Sequence, residues 1–229
     1  MFKTFHYLTL ALLLPSLAEA GRPMMTDDAR LTAAGSCQIE SWVQQSSAQR
    51  EWWALPACNP GGNLEITAGV AHMQPRHGKD SSSLLLQAKT MLKPLSASGY
   101  GVGLAAGGQS LSGNDNSRSL AAVYAYVPVT VVVLPNDRLT LNANLGWTRD
   151  RVIHLDELTW GLGVSSALSA RTSAFTELYG DNQGAAGTQA GLSYQLLPNR
   201  LQLDLTAGTT PGSVGGDSLA SVGLNYYFP

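Results

Sequence analysis

The chain has 229 residues, 16 acidic and 14 basic side chains and a formal net charge of −2, and charged residues make up only 13% of it, against about 25% in soluble domains. The absence of a basic cluster argues against nucleic acid as a partner, and two cysteines without metal-type spacing argue against a zinc module. Twenty-four glycines, four phenylalanines and a mean hydropathy near zero point to strands whose two faces meet different surroundings.

The opening stretch MFKTFHYLTLALLLPSLAEA places Lys3 before an apolar run from Tyr7 to Leu17 and ends in Ala18-Glu19-Ala20. This pattern predicts a secretory signal over residues 1–20, cleaved after Ala20; the alternative is a retained N-terminal helix. The apolar run is too short for a good membrane span, and no later run approaches the roughly 20 residues that a spanning helix needs. Export makes a disulfide permissible. Residues 21–35 form an N-terminal segment whose core, Arg22 to Ala34, is the least periodic part of the chain. It reads as coil or one turn of helix, in the periplasm or inside a lumen.

From residue 36 onward the chain alternates. The first hairpin runs from Cys37 to Cys58, and its midpoint falls between Ser47 and Ala48. A turn there sets the two cysteines opposite each other, with Cβ atoms about 4.5–5.5 Å apart, close enough for a disulfide after modest adjustment. Such a bond pins the register of the hairpin; the alternative is two free thiols. Trp52 and Trp53 then point to opposite faces.

Runs of period-two alternation between polar or Gly/Pro breaks predict strands at 36–46, 49–58, 62–74, 82–93, 99–111, 118–133, 138–149, 156–168, 171–180, 187–197, 200–209 and 218–228. Their connections alternate between tight turns, such as LPNDR at 134–138 and LPNR at 197–200, and generally longer polar loops, such as QPRHGKD at 74–80. An even strand count with short turns on one side and longer loops on the other marks a transmembrane β-barrel, a closed sheet that pairs every backbone group internally. The fold class is therefore all-β, a closed antiparallel transmembrane barrel of about twelve strands over residues 36–229.

The faces sort accordingly. Leu64, Ile66, Ala68 and Val70 oppose Glu65, Thr67 and Gly69; Leu158, Trp160, Leu162 and Val164 oppose Glu157, Thr159 and Gly161. The leucine face meets lipid and the polar face lines the lumen, because a mid-bilayer Arg or Lys costs about 2–4 kcal/mol. Lumen-facing candidates are Glu40, Glu65, Lys89, Glu157, Glu177 and Asp204, joined by Arg50, a mixed but acid-dominated interior. Small inner residues such as Gly101, Gly103, Ala105 and Gly107 leave space for water or for the N-terminal segment. The competing soluble sandwich or lipocalin-like barrel buries its leucines and needs core aromatics, which are scarce here.

Trp147 and Trp160 lie towards the loop side, and Tyr194, Tyr226 and Phe228 towards the turn side, as two interfacial girdles do. The last strand sets Val222, Leu224, Tyr226 and Phe228 on one face. Here the chain resembles outer-membrane β-barrel proteins of Gram-negative bacteria, whose final strand ends in an aromatic residue. The resemblance implies an outer-membrane location and these four residues as the signal for the barrel-assembly machinery; Pro229 after the Phe departs from the pattern. The mature N-terminus also resembles the RP-x-x-TDDA…G-x-x-Q-x-E opening of a family of predicted outer-membrane proteins named for a meta-cleavage pathway of phenol degradation. Arg22, Pro23, Thr26, Asp27, Asp28, Ala29, Gly35, Gln38 and Glu40 match it. Asp27 and Asp28 either enter the lumen near Lys89 or belong to a solvated periplasmic tail.

Barrel phospholipases need a Ser-His pair with an orienting Asn or Asp on the outer face near the loops. His72, His77 and His154 sit in or beside predicted long loops, no serine occupies a nucleophile elbow, and the nearest combination is His154 with Asp156 and a distant serine. Solvated loop histidines are the default, so no catalytic, cofactor-binding or metal-binding residue is assigned and the chain reads as a non-enzyme. The expected function is a channel or uptake protein for small molecules, with an acidic lumen that disfavours anions. The alternatives are a plugged structural or surface-interaction barrel and a lipid-active outer-membrane enzyme. Expected partners are outer-membrane lipid, the barrel-assembly machinery and a small-molecule solute.

Overall fold

Alternating sequence becomes a single closed sheet in a computed structural model, which describes residues 24–113, 117–212 and 217–228. The expected signal at 1–20 and Pro229 lie outside the described residues. Twelve antiparallel strands follow in chain order: β1 (Cys37–Ser46), β2 (Gln49–Cys58), β3 (Glu65–Pro75), β4 (Ser81–Lys93), β5 (Tyr100–Leu111), β6 (Arg118–Leu134), β7 (Leu139–Asp150), β8 (Leu155–Ala167), β9 (Thr172–Asp181), β10 (Gly187–Leu197), β11 (Leu201–Thr209) and β12 (Ser218–Phe228). Each pairs with its sequence neighbour, and β1 closes on β12 from Cys37↔Phe228 to Ser46↔Leu219. Closure leaves no edge strand whose N–H and C=O groups need water.

The face pattern shows which solvent the barrel is built for. Leu84 is 63% exposed and Leu162 57% exposed on the outside, whereas Thr130, Thr140, Gln189 and Asn225 are buried on the inside. A soluble sandwich or lipocalin-like core is thereby overturned, since the leucines point away from the interior. Water cannot stabilise a continuous apolar belt of this kind; acyl chains can. Val222, Leu224, Tyr226 and Phe228 are all exposed on the outer face of β12, with Tyr226 and Phe228 edge to face at 4.7 Å.

The tight turns show why LPN recurs. Asn136 and Asp137 adopt φ of 57° and 54°, and Asn199 a φ of 57°, the left-handed region that Asn and Asp tolerate better than other side chains. Consecutive left-handed residues twist in the sense of the flanking strands, so the hairpin does not splay.

The first hairpin turns at Ser47 and Ala48, and Cys37 and Cys58 are paired in register and disulfide-bonded. That register sends Trp53 to the lumen, stacked on Trp42 at 5.4 Å with planes 6° apart. Trp52 falls on the outer face. Arg50 shares that outer face and not the lumen: it is exposed, hydrogen-bonds to Gln45 at 2.8 Å and lies over the Trp52 ring. It sits beside the β1–β2 turn, at the rim of the barrel and clear of the apolar belt. The inner glycines of β5 also differ from expectation. A Cβ at Gly103 would meet Pro128 at 3.0 Å and one at Gly107 the Tyr124 hydroxyl at 2.5 Å, so β6 side chains occupy that space.

Candidate functional site: the N-terminal segment in the lumen

The segment preceding β1 runs inside the barrel, and its backbone is held by side chains of the wall. Met25 and Thr26 donate their N–H groups to the two carboxylate oxygens of Glu177 on β9, each at 2.7 Å. Ala29 donates its N–H to the Thr130 hydroxyl oxygen on β6 at 2.8 Å, and that hydroxyl donates to Asn142 on β7 at 2.7 Å. Thr32 donates both its N–H, at 2.7 Å, and its hydroxyl, at 2.6 Å, to Glu65 on β3. An extended segment without a sheet partner has backbone donors to satisfy, and two carboxylates and a hydroxyl, from β9, β3 and β6, supply acceptors.

Charges are matched along the same path. Lys89 of β4 places Nζ 2.7 Å from Asp27 and 4.0 Å from Asp28. The Tyr126 hydroxyl donates to the same Asp27 oxygen, Oδ2, at 2.8 Å. Asp28 accepts the Arg30 N–H at 2.8 Å, and the Arg30 guanidinium bridges Asp28 at 3.2 Å and Asp137 at 2.9 Å. Asp137 is a left-handed residue of the β6–β7 turn, so the segment is tied to the short-turn end of the barrel.

At its C-terminal end the segment is spliced into the first hairpin. Gly35 donates its N–H to the Asn59 carbonyl at 2.8 Å, Asn59 returns its N–H to the Ser36 carbonyl at 3.0 Å, and the Asn59 side chain donates to the Thr32 carbonyl at 2.7 Å. These bonds continue the β1–β2 ladder one step past the disulfide. On the opposite wall β8 presents glycines to the segment: a Cβ at Gly161 would meet Thr26 Oγ1 at 2.5 Å, and one at Gly163 would meet Met24. The wall is bare where the segment presses on it.

The six predicted lumen positions therefore separate. Glu65, Lys89 and Glu177 are buried and hold the segment. Glu40 is buried and accepts from Gln38 at 3.4 Å, and Asp204 is buried and accepts from Gln202 at 2.8 Å. Glu157 is only half-buried near the long loops, opposite Thr148. Sequence reading missed Thr130, Asn142 and Tyr126, which alternate inward like any polar or aromatic strand residue and carry no distinguishing signal. Asp137, seen only as a turn residue, also belongs to the site. A cavity of about 660 Å³ remains at the short-turn end, between the segment at Arg30 and Thr32, the wall at Glu40, Trp42 and Leu55, and the rim at Arg200.

The loop histidines arrange differently from expectation. Asp156, which with His154 made the nearest but unassigned catalytic combination, pairs with Arg149 and accepts the Trp147 indole N–H at 3.2 Å. His72 is the histidine that meets a serine and an acid, with Nδ1 3.3 Å from Ser82 Oγ and Nε2 3.5 Å from Asp80.

Comparison with solved structures agrees on architecture. A KdgM porin in complex with disordered oligogalacturonate superposes with a TM-score of 0.66 at 13% identity, over 82% of this chain and 98% of that one. The NanC porin gives 0.61 at 9% identity, over 83% and 98%. Outer membrane phospholipase A from Escherichia coli gives 0.51 at 11% identity, over 92% and 95%. At these identities the likeness is one of fold, a twelve-stranded antiparallel barrel of the porin type. No curated protein matches the chain. The likeness to the phenol meta-pathway family rests on the N-terminal motif alone, because the family that matches is another: over residues 8–217 the chain belongs to the family described as Uncharacterised conserved protein UCP029691.

Proposed function

We propose that this protein is an outer-membrane channel or uptake barrel for small polar molecules, and that its own N-terminal segment closes the lumen in the resting state. The observation that carries the reading is the mode of attachment of the segment. Glu177, Glu65 and Thr130 accept its N–H groups from separate strands, and Asp27 meets Lys89 within the barrel. A segment held by discrete polar contacts against bare glycines can leave without unzipping a strand, so closure is reversible while the barrel stays intact. The porin-type fold supports the transport half of the reading, and the residual cavity at the short-turn mouth supports solute entry on that side.

Charge selection follows from the same contacts. Glu65 and Glu177 face backbone N–H groups and Asp27 faces Lys89, so the acids of the wall are compensated while the segment is in place. Its departure exposes Glu65 and Glu177 and gives the lumen an acidic lining that disfavours anions. A KdgM porin of similar fold, solved in complex with disordered oligogalacturonate, supports a polar solute as the class; this chain is assigned no particular solute. Val222, Leu224, Tyr226 and Phe228, adjacent to the β1–β12 seam, are proposed as the assembly signal, and residues 1–20 as the export signal.

Planar-bilayer conductance tests the reading. Full-length mature protein is expected to show low or intermittent conductance, and a variant lacking residues 22–34 a steady, weakly cation-selective one. Full-length protein that never conducts beside a folded deletion variant that does would instead leave a plugged structural barrel whose loops do its work, the reading that the extensive hydrogen bonding of the segment favours; a folded deletion variant that conducts nothing would remove the channel.

A further inference from the structure

We propose that the outer face of β2–β4, at the long-loop rim, carries a serine-hydrolase site for ester-linked membrane lipid. Trp52, His72 and Ser82 are cross-strand neighbours on one rung of the sheet, and all three face outward. Ser82 Oγ lies 3.3 Å from His72 Nδ1, and Asp80 reaches His72 Nε2 at 3.5 Å. The Trp52 ring packs against the imidazole at 5.5 Å and restricts its rotation. Nucleophile, base and orienting acid are thus brought together on a face that the lumen and its segment do not use.

The rung beneath states the substrate. Ala54, Val70 and Leu84 are paired with one another two residues further into the barrel, about 6–7 Å deeper along the strands. Val70 and Leu84 are exposed. The two rungs line a common cavity of about 540 Å³, which also takes in Ser112. An acyl chain laid over Val70 and Leu84 brings its ester carbonyl to the level of Ser82, at the boundary between hydrocarbon and headgroup. A water-soluble ester gains nothing from such a floor. The Ser112 hydroxyl, 3.3 Å from the Ser82 carbonyl, is a donor placed to turn towards a developing oxyanion.

The chemistry follows the acyl-transfer pattern. The Ser82 hydroxyl proton passes to His72 Nδ1 as Oγ bonds to the ester carbonyl carbon, while Asp80 accepts from the Nε2 proton and stabilises the imidazolium. Collapse breaks the bond from the acyl carbon to the alcohol oxygen, which leaves with the proton from His72. Water, deprotonated by the same nitrogen, then bonds to the acyl carbon; the bond from that carbon to Ser82 Oγ breaks, His72 returns the proton to Oγ, and the fatty acid leaves.

The test uses the full-length barrel refolded in detergent, exposed to a fluorophosphonate probe and, separately, to phosphatidylethanolamine in mixed micelles. Mass spectrometry is expected to find the probe on Ser82 and fatty acid in solution. Both signals are expected to vanish in Ser82→Ala and to fall by about 10²-fold or more in His72→Ala, the usual contribution of a general base. His154→Ala leaves them unchanged. Heat-modifiable gel mobility verifies that each variant is folded, as expected for substitutions of outward side chains. Folded wild-type protein that neither takes the probe at Ser82 nor releases fatty acid overturns the proposal, as does a His72→Ala rate equal to wild type. Either failure leaves the conductance reading untouched.

Discussion

Lys89 Nζ lies 2.7 Å from Asp27 Oδ2, so a cation of the barrel wall and an anion of the N-terminal segment meet where each side chain is largely shielded from water. Neither charge would be stable there alone. A buried pair contributes little net stability, but removal of one partner strands the other at a cost of about 3–5 kcal/mol. This asymmetry makes the contact a latch that the loss of either charge alone releases.

Lys89→Met is therefore expected to release the segment while the barrel persists. Asp27 can regain water only by leaving the lumen, so hydrogen exchange over residues 24–34 should rise and conductance should appear. Adding Asp27→Asn to Lys89→Met removes the stranded charge and should restore much of the protection. A double variant as exposed as the single one would show that the attraction between Lys89 and Asp27, and not only the penalty of a stranded charge, is needed to retain the segment.

Steric pressure on the opposite wall gives an independent route to the same state. A Cβ at Gly161 would stand 2.5 Å from Thr26 Oγ1, with the Thr26 Cβ and Cγ2 both at 3.3 Å. Gly161→Val adds a branched side chain on the inner face of β8, and β-branching suits a strand. The sheet should accept it and the segment should not. Raised conductance with unchanged heat-modifiable mobility is the expected pair of results; unchanged conductance would mean that the segment shifts aside without opening the lumen.

Strand positions were legible because the constraint on them is local. Each must present alternate residues to two solvents, and no end of an observed strand lies more than three residues from the boundary that alternation predicts. The disulfide was legible for a similar reason, since Cys37 and Cys58 are equidistant from a two-residue turn. Arg50 was misplaced because charge alone suggests the lumen, whereas the register imposed by Cys37↔Cys58 decides its face, and a rim position makes an outward charge affordable. The lumenal segment was legible only as an alternative. Asp27 and Lys89 belong to different periodicities, and nothing local to either shows that they meet. Thr130 and Asn142 illustrate the limit most clearly: they became part of a site only when the segment arrived. The Ser82, His72 and Asp80 grouping carries no local signal, because only the β3–β4 register sets His72 opposite Ser82 across the loop.

The disulfide couples barrel stability to segment retention. Cross-linking 21 positions apart removes about 3 kcal/mol of unfolded-state freedom in the loop-entropy account, and the Gly35–Asn59–Ser36 ladder depends on the same strand ends. Replacing both cysteines by serine is expected to lower the urea midpoint of the barrel and also to raise hydrogen exchange at residues 32–36. Loss of stability without local exchange at the ladder would separate the two roles.

The lipid-facing reading makes a demand that a water-soluble barrel does not. Leu162 in the middle of β8 and Leu168 just beyond its short-turn end are similarly exposed, 57% and 61%. In water, arginine at either surface position would change stability by no more than about 0.5 kcal/mol. In a bilayer the two sites differ by depth: Leu162→Arg should cost about 2–4 kcal/mol and Leu168→Arg about 0–1 kcal/mol, because the latter side chain can reach the headgroups. Reversible urea unfolding in phospholipid vesicles measures both. Equal, small effects would mean that the leucine face meets water, and the channel and the outer-face lipid site would fall with that result.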